Sequence, residues 1–309
     1  AMAFKRQLVE QDSVATGQRL SRSTVHATLR HLVRFFEWLA GQPGYRSRLQ
    51  YADADYFNLS DKDVAAARAE REAAFPTLDQ MHRVLAAMPS DTAIDLRNRA
   101  LIALCCLTGA RADALATVRL KHIDLEQKVL INDGRDMRTK ASKTFKTRFF
   151  PVGGNALEIL THWIGHLRST LGWTDADPVF PATQMELSKD TRTFAVAGLK
   201  RECWSNTTPV RRIFKAAFAA ASLPYFNPHS IRKTLVQLGE RLCQTPEEFK
   251  AWSQNLGHSG VLTTLTSYGE VASHRQIEIV GELGSSERSA DAISTQELLE
   301  MLQRRISKS

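Results

Sequence analysis

The sequence predicts a mainly α-helical chain with one small antiparallel β-sheet, an α+β fold in which a short helical segment precedes a larger domain. Three observations carry this. Apolar residues recur at helical spacing, as in Val25, Leu29, Leu32, Val33, Phe36 and Leu39, which makes one apolar face. Capping side chains stand ahead of such stretches, for example Thr77 with Gln80 at the third position after it, a capping box. β-Formers gather in two short runs, residues 129–132 and 147–152, around polar, glycine-containing sequence, the pattern of a small sheet.

A length of 309 residues fits one large domain or two ordinary ones. Lys and Arg number 41 against 33 Asp and Glu, giving +8 and a pI near 9.5; this balance favours an acidic partner such as DNA over an acidic small molecule. Cys105, Cys106, Cys203 and Cys243 form no CxxC and no ligand cluster, so they read as reduced, buried thiols of a cytoplasmic protein. No run approaches the length of a transmembrane helix and no apolar signal region opens the chain, so no membrane association is expected. Ala1 and Met2 read as a cloning remnant, the expectation for a chain that begins inside a longer natural one.

In order along the chain, residues 1–50 are helical in pattern, with Arg22, His26, Arg30 and Arg34 four apart on a face other than the apolar one; such a stripe is most often simply solvated. The GQPG run at 41–44 breaks the helix, and residues 45–59 show no periodicity. Ser60 then opens an Ala-rich charged stretch, so 51–76 is read as a mostly helical linker, with a peripheral helix of the following domain as the alternative. Residues 95–107 form a buried helix, apolar almost all round its later turns, followed by Thr108-Gly109-Ala110-Arg111; Gly109 lets the chain bend so that Arg111 projects from the next helix. Between the two β runs lies a loop dense in Lys and Arg, including Lys140, Lys143 and Lys146. An amphipathic helix over 156–171 carries His162 and His166 on one face, half a zinc site without nearby partners. Residues 175–201 read as loop, and 208–221 as a helix with Arg211, Arg212 and Lys215 on its exposed side.

The stretch from Asn227 to Tyr268 holds the chemistry. It contains NPHSIRKT, with His229 and Arg232 at i and i+3, and NLGHSGVLTTLTSYGE, with Tyr268 ten residues after His258. Residues at i and i+3 share a helix face, so His229 and Arg232 can reach one anion together. An Arg fork matches a phosphate and stays charged, a His handles a proton near neutrality, and a Tyr hydroxyl becomes a nucleophile once its proton is removed. Taken singly, each has an ordinary explanation; an HxxR occurs by chance on many helices, and a Tyr is usually core or surface.

In order and spacing, TGAR at Arg111, the hairpin lysines, HxxR at His229 and Arg232, LGH at His258 and then Tyr268 resemble the tyrosine recombinases, the phage-integrase and Xer-type family. The resemblance covers roughly residues 75–280. It implies a tyrosine recombinase catalytic domain at 77–283, a partial N-terminal helical core-binding domain at 1–50 that clamps DNA, and a tether and C-terminal helix at 284–309. By the resemblance Tyr268 attacks the scissile phosphate to give a 3′-phosphotyrosyl enzyme, Arg111, Arg232 and His258 stabilise the transition state, His229 assists removal of the Tyr proton, and a hairpin Lys protonates the leaving oxygen. Lys143 matches best, lying eight residues before Pro151; Lys140 and Lys146 are the next matches. It further implies no metal or other cofactor, double-stranded DNA as partner, a monomer in solution, and a tetramer on DNA through the C-terminal helix, with Arg22, Arg30, Arg34, Lys140, Arg211, Arg212 and Lys215 as DNA contacts. Two departures stand out. The acidic residue common three positions after the first Arg is here Ala114, with Asp113 one step earlier, and the His258–Tyr268 gap is one residue longer than the commonest family spacing. The alternatives are a type IB topoisomerase-like activity, a catalytically idle DNA-binding accessory protein, and a basic helical protein that binds no nucleic acid.

Overall fold

In a computed structural model, the described residues are 2–14, 17–68, 74–139, 142–187 and 193–258. The chain divides into two compact units, Ala1–Glu72 and Ala73–Ser309.

In the first unit, α1 (Met2–Glu10) and α2 (Arg22–Ala40) are followed by a 3-10 turn (Tyr51–Phe57) and α3 (Asp61–Arg68). Ser21 caps α2, its Oγ accepting from the Thr24 amide at 3.1 Å, and the helix stops at Gly41, where the GQPG run begins. The periodic face of α2 packs inward through Val25 and Leu29, against Leu8 and Phe57. Phe36 stacks on Phe57 with ring centroids 4.9 Å apart, so the Tyr51–Phe57 turn, which has no helical periodicity, is held by aromatic burial. Arg22, Arg30 and Arg34 are exposed.

The second unit is built around α5 (Ala93–Thr108), whose residues from Ala100 to Thr108 are all buried. α4 (Leu78–Ala87) packs beside it through Met81, Val84 and Leu85, and α7 (Ala156–Gly165) runs along it. Each fully buried Leu or Ile here contributes about 1.5–3 kcal/mol, so this layer gives the rigid base on which the loops of the site rest. The Thr77 box is formed: the Thr77 amide donates to Gln80 Oε1 at 2.9 Å and the Gln80 amide to Thr77 Oγ1 at 3.1 Å. Thr77→Ala is expected to lower stability by about 1 kcal/mol, read as a lower urea midpoint; an unchanged midpoint would mean that α4 starts without this cap.

After α6 (Ala112–Thr117), three strands form one antiparallel sheet in the order β1-β2-β3: β1 (Ile123–Asp124), β2 (Val129–Asn132) and β3 (Phe145–Arg148). β3 starts before the expected run and ends inside it. The cause is a change of partner: the Phe149 amide still donates to the Lys128 carbonyl at 2.8 Å, but the Phe150 amide turns to the Leu107 carbonyl at 2.7 Å. The helix expected over 156–171 is α7 plus a wider π-turn, His166–Thr170. Residues 182–187 and 194–200, read as loop, are strands β4 (Ala182–Leu187) and β5 (Phe194–Lys200) of a two-stranded ribbon. Met185, Leu187, Phe194 and Val196 of that ribbon are exposed, so it lacks the half-buried alternation that marks a strand in sequence. Its base is held by buried Arg97, which donates to the Pro181 carbonyl at 2.8 Å and Thr183 Oγ1 at 3.0 Å while lying 5.2 Å from the Trp204 ring centroid.

The unit continues with α8 (Thr208–Ala220), a 3-10 turn (Pro228–Ser230), α9 (Ile231–Leu242) and α10 (Pro246–Asn255). Cys105 and Cys106 are buried, whereas Cys203 and Cys243 are only partly so; the expectation of four buried thiols fails because Cys203 lies in the loop ahead of α8 and Cys243 at the C-cap of α9. No helix among the described residues is long and apolar enough to cross a membrane.

Candidate active site

Three turns converge at one end of α5. In the first, α5 ends at Gly109, whose φ of +61° is the left-handed region that favours glycine. A Cβ there would lie 3.0 Å from Leu235 Cδ1 and from Leu256 Cδ2, so the turn also needs glycine to sit under α9 and the end of α10. Thr108 Oγ1 accepts from the Ala110 amide at 3.2 Å, and Arg111 is the N-cap residue of α6, half-buried. Among the described residues no carboxylate pairs with Arg111; Asp113 is instead 3.5 Å from the guanidinium of Arg138. Burial lowers the Arg111 pKa from its ordinary value.

In the second turn, Asn227 Oδ1 accepts from the His229 amide at 2.9 Å and the Ser230 amide at 3.2 Å, and Pro228 opens the 3-10 turn that leads into α9. This leaves His229 exposed while Arg232, one turn on, is 95% buried. Arg232 Nη1 donates to the Gly109 carbonyl at 2.8 Å, and Nη2 to the Leu256 carbonyl at 2.5 Å. The guanidinium therefore ties the turn before Arg111 to the turn before His258. Burial, and then the neighbouring Arg111, hold its pKa down to about 10, so it remains charged at neutral pH.

The third turn comes after α10. Gly257 has φ +72° and lies against the Phe145 ring of β3, so that a Cβ would be 2.5 Å from Phe145 Cζ. The Gly257 amide donates to the Gln254 carbonyl at 2.7 Å, and the His258 amide to the Ser253 carbonyl at 3.3 Å. Burial, then Arg232, Arg111 and His229, lower the His258 pKa to about 4.

Arg111, His229, Arg232 and His258 thus form one electropositive site. A small cavity beside it is lined by Arg111 and Arg232 together with Asn132, Thr139, Phe145 and Thr147 of the β2–β3 hairpin. Lys143 is exposed on that hairpin, and its carbonyl accepts from Thr139 Oγ1 at 2.9 Å; Lys146 lies within β3, paired with Ile131. Lys140 and Tyr268 lie outside the described residues, as does the predicted C-terminal helix. Arg211, Arg212 and Lys215 are exposed on α8, which packs against the Pro228–Ser230 turn, and Arg22, Arg30 and Arg34 belong to the first unit. Among the described residues no group of three or more His, Cys, Asp or Glu side chains could hold a metal ion; the His166 ring stacks on Trp163 at 5.6 Å.

Two guanidiniums beside two imidazoles make an oxyanion cradle. Burial first, and then the neighbouring positive charges, keep the His258 ring neutral at pH 7, where it can still donate one hydrogen bond. The ordinary His value is 6.5 and the folded value about 4. Between these, the unfolded chain binds a proton that the folded chain does not, so stability rises with pH across that window and is lost as pH falls through it. His258→Asn is expected to flatten this part of a plot of urea midpoint against pH. An unchanged slope would show that His258 is not the group responsible.

A family profile described as "Phage integrase family" matches residues 75–275. The tyrosine recombinase XerD of Vibrio vulnificus (strain YJ016) is 26% identical over 202 residues, covering 65% of this chain and 57% of that protein; the chain thus spans little more than half the length of that relative. The tyrosine recombinase XerC of Lactobacillus delbrueckii subsp. bulgaricus (strain ATCC BAA-365 / Lb-18) is 25% identical over 257 residues, 81% of this chain and 73% of that one. The solved structure of the XerH site-specific recombinase bound to palindromic difH substrate, a post-cleavage complex, is similar in fold. Its TM-score is 0.59 at 14% identity, over 90% of this chain and 71% of that chain.

Proposed function

The chain belongs to the phage integrase family, and we propose on that basis that it is a site-specific DNA recombinase that cleaves and rejoins strands through a 3′-phosphotyrosyl intermediate. The observation that carries the proposal is the lock on Arg232: two carbonyls from separate turns orient a buried guanidinium next to Arg111 and His258, a preorganised cradle for a phosphorane-like transition state.

In this reading Tyr268 Oη attacks the scissile phosphorus. The P–O bond to the 5′ carbon's oxygen breaks, Lys143 gives that oxygen a proton, and His229 assists removal of the proton from Tyr268. Each proton transfer contributes about 10²- to 10⁴-fold. Arg111 and Arg232 offset the charge that builds on the non-bridging oxygens, and neutral His258 donates a hydrogen bond to one of them. Attack by another 5′-hydroxyl reverses the step and conserves the bond, so no nucleotide or metal cofactor is invoked. Integration or excision of a mobile element results when the second 5′ end belongs to another duplex.

Arg211, Arg212 and Lys215 on α8, together with Lys140, contact the phosphate backbone, and the first unit clamps the duplex with Arg22, Arg30 and Arg34; such contacts set register and affinity. Two duplexes with two cleavages each call for a tetramer on DNA, assembled from monomers through residues 295–306. An apolar groove of about 850 Å3 lined by Leu107, Phe149, Phe150, Leu157, Leu242 and Trp252 supports this, since it suits Leu298, Leu299, Met301 and Leu302 of a neighbouring copy. The protein would act in the cytoplasm, on the nucleoid.

The test is covalent trapping. The protein is incubated with labelled, nicked duplexes from its own genomic neighbourhood, SDS-resistant adducts are isolated, and the modified peptide is mapped by mass spectrometry. A 3′-phosphoryl adduct on Tyr268 is expected. An adduct on another residue would overturn the nucleophile, and tight DNA binding without any adduct would point to an idle site.

A further inference from the structure

The sheet that carries the hairpin lysines ends in an edge strand. In the order β1-β2-β3, β3 pairs on one side only among the described residues. Thr147 faces Leu130 of β2, and the Phe149 amide donates to Lys128. By the alternation of an antiparallel ladder, the amide and carbonyl of Arg148 between them point away from β2. Such groups are ordinarily left to water.

Here one side chain takes both. Asn255, the last residue of α10, accepts from the Arg148 amide through Oδ1 at 2.7 Å and donates from Nδ2 to the Arg148 carbonyl at 2.8 Å. The carboxamide acts as a one-residue extension of the sheet. A third bond joins the same two elements: Thr147 Oγ1 donates to the Asn255 carbonyl at 3.0 Å, and itself accepts from Asn132 Nδ2 of β2 at 3.2 Å. The side of α10 facing α9 is fixed separately, since Trp252 Nε1 donates to the Leu235 carbonyl at 2.9 Å.

The residues after Asn255 give the clamp its meaning. The next carbonyl, of Leu256, receives Arg232 Nη2; the next residue, Gly257, packs on Phe145 of β3; and the next is His258. We propose that Asn255 is a positioning residue that clamps the turn before His258 to strand β3 and so holds the lysine-bearing hairpin in register with Arg232 and His258. The inference rests on the recombinase reading, because it assigns the hairpin the leaving-group acid.

Asn255→Ala removes both side-chain bonds. Asn255→Asp keeps the shape and the acceptor but cannot donate to the Arg148 carbonyl. Full-length wild type and both variants are compared for melting temperature, for affinity to a nicked duplex, and for single-turnover cleavage of that duplex. Cleavage is also measured on a duplex with a 5′-bridging sulfur at the scissile phosphate, whose thiolate leaves without a proton. Both variants are expected to bind DNA as wild type does and to cleave the ordinary duplex about 10- to 100-fold more slowly, the scale of a misplaced proton donor, while recovering on the sulfur duplex. Wild-type cleavage of the ordinary duplex by the variants, or an equal loss on both duplexes, would overturn the clamp's role.

A readout without DNA separates this inference from the functional reading. Hydrogen exchange at the Arg148 amide should speed up at least 10-fold in Asn255→Ala, and the His258 ring resonances should shift. If wild type forms no adduct, the recombinase reading fails, and these two signals alone decide whether Asn255 couples the turn to β3; unchanged signals overturn it.

Discussion

Arg232→Ala is expected to abolish measurable strand cleavage, with a loss of at least about 10³-fold, while changing DNA affinity only slightly. Removing one preorganised donor to a developing oxyanion costs about 10²- to 10³-fold, and Arg232 supplies a full charge as well as hydrogen bonds. Its burial leaves little surface for ground-state phosphate binding, so the effect falls on the chemical step. Stability should change less than the bond count implies. The Gly109 and Leu256 carbonyls lose their partners, at about 1–3 kcal/mol for each carbonyl left buried and unsatisfied. Against this, the variant no longer buries a cation beside Arg111, the two causes that hold the Arg232 pKa down. The losses should win by a small margin, a net destabilisation of about 1–2 kcal/mol. Arg232→Lys separates charge from shape: one ammonium cannot reach both carbonyls in the fork geometry, so it too should cleave poorly. Cleavage by the Lys variant within a few-fold of wild type would show that charge alone suffices and that the lock is incidental.

Gly257→Ala is expected to lower stability by about 2–5 kcal/mol and to slow cleavage with it. Two costs add. A left-handed φ of +72° costs a non-glycine residue roughly 1–2 kcal/mol, and a methyl group 2.5 Å from the Phe145 ring must push ring or turn aside, about 1–3 kcal/mol for an overpacked site. The ring belongs to β3 and the turn carries His258, so relief of the overlap moves apart the two elements the reaction needs together. Gly109→Ala provides the comparison. It has the same strained φ, but its contacts are 3.0 Å to the ends of leucine side chains, which can yield; its cost should be nearer 1–2 kcal/mol. Chemical denaturation of the two variants beside wild type checks the order. If Gly257→Ala unfolds at the wild-type midpoint, the turn does not pack on β3.

Much of the helical frame was legible in sequence because its signals are local. Thr77 and Gln80 cap α4, and the GQPG run ends α2 at Gly41, each set by groups within a few residues of one another. The β4–β5 ribbon was not legible, since its apolar residues stay exposed and show no buried side to read. The expected orientation of Arg111 by a carboxylate was open in sequence; in the fold Asp113 faces Arg138, and the tie that orders the site comes from Arg232 instead.

The sequence by itself determined which chemical groups are present, their order, and where most helices begin, because caps, prolines and apolar periodicity act over a few residues. Only the tertiary structure decided that Arg232 spans to a carbonyl 123 residues away and that the carboxamide of Asn255 closes an edge strand 107 residues away. Backbone carbonyls and edge amides are the same at every position of a chain, so the partners they find are set by packing and leave no local mark in the sequence.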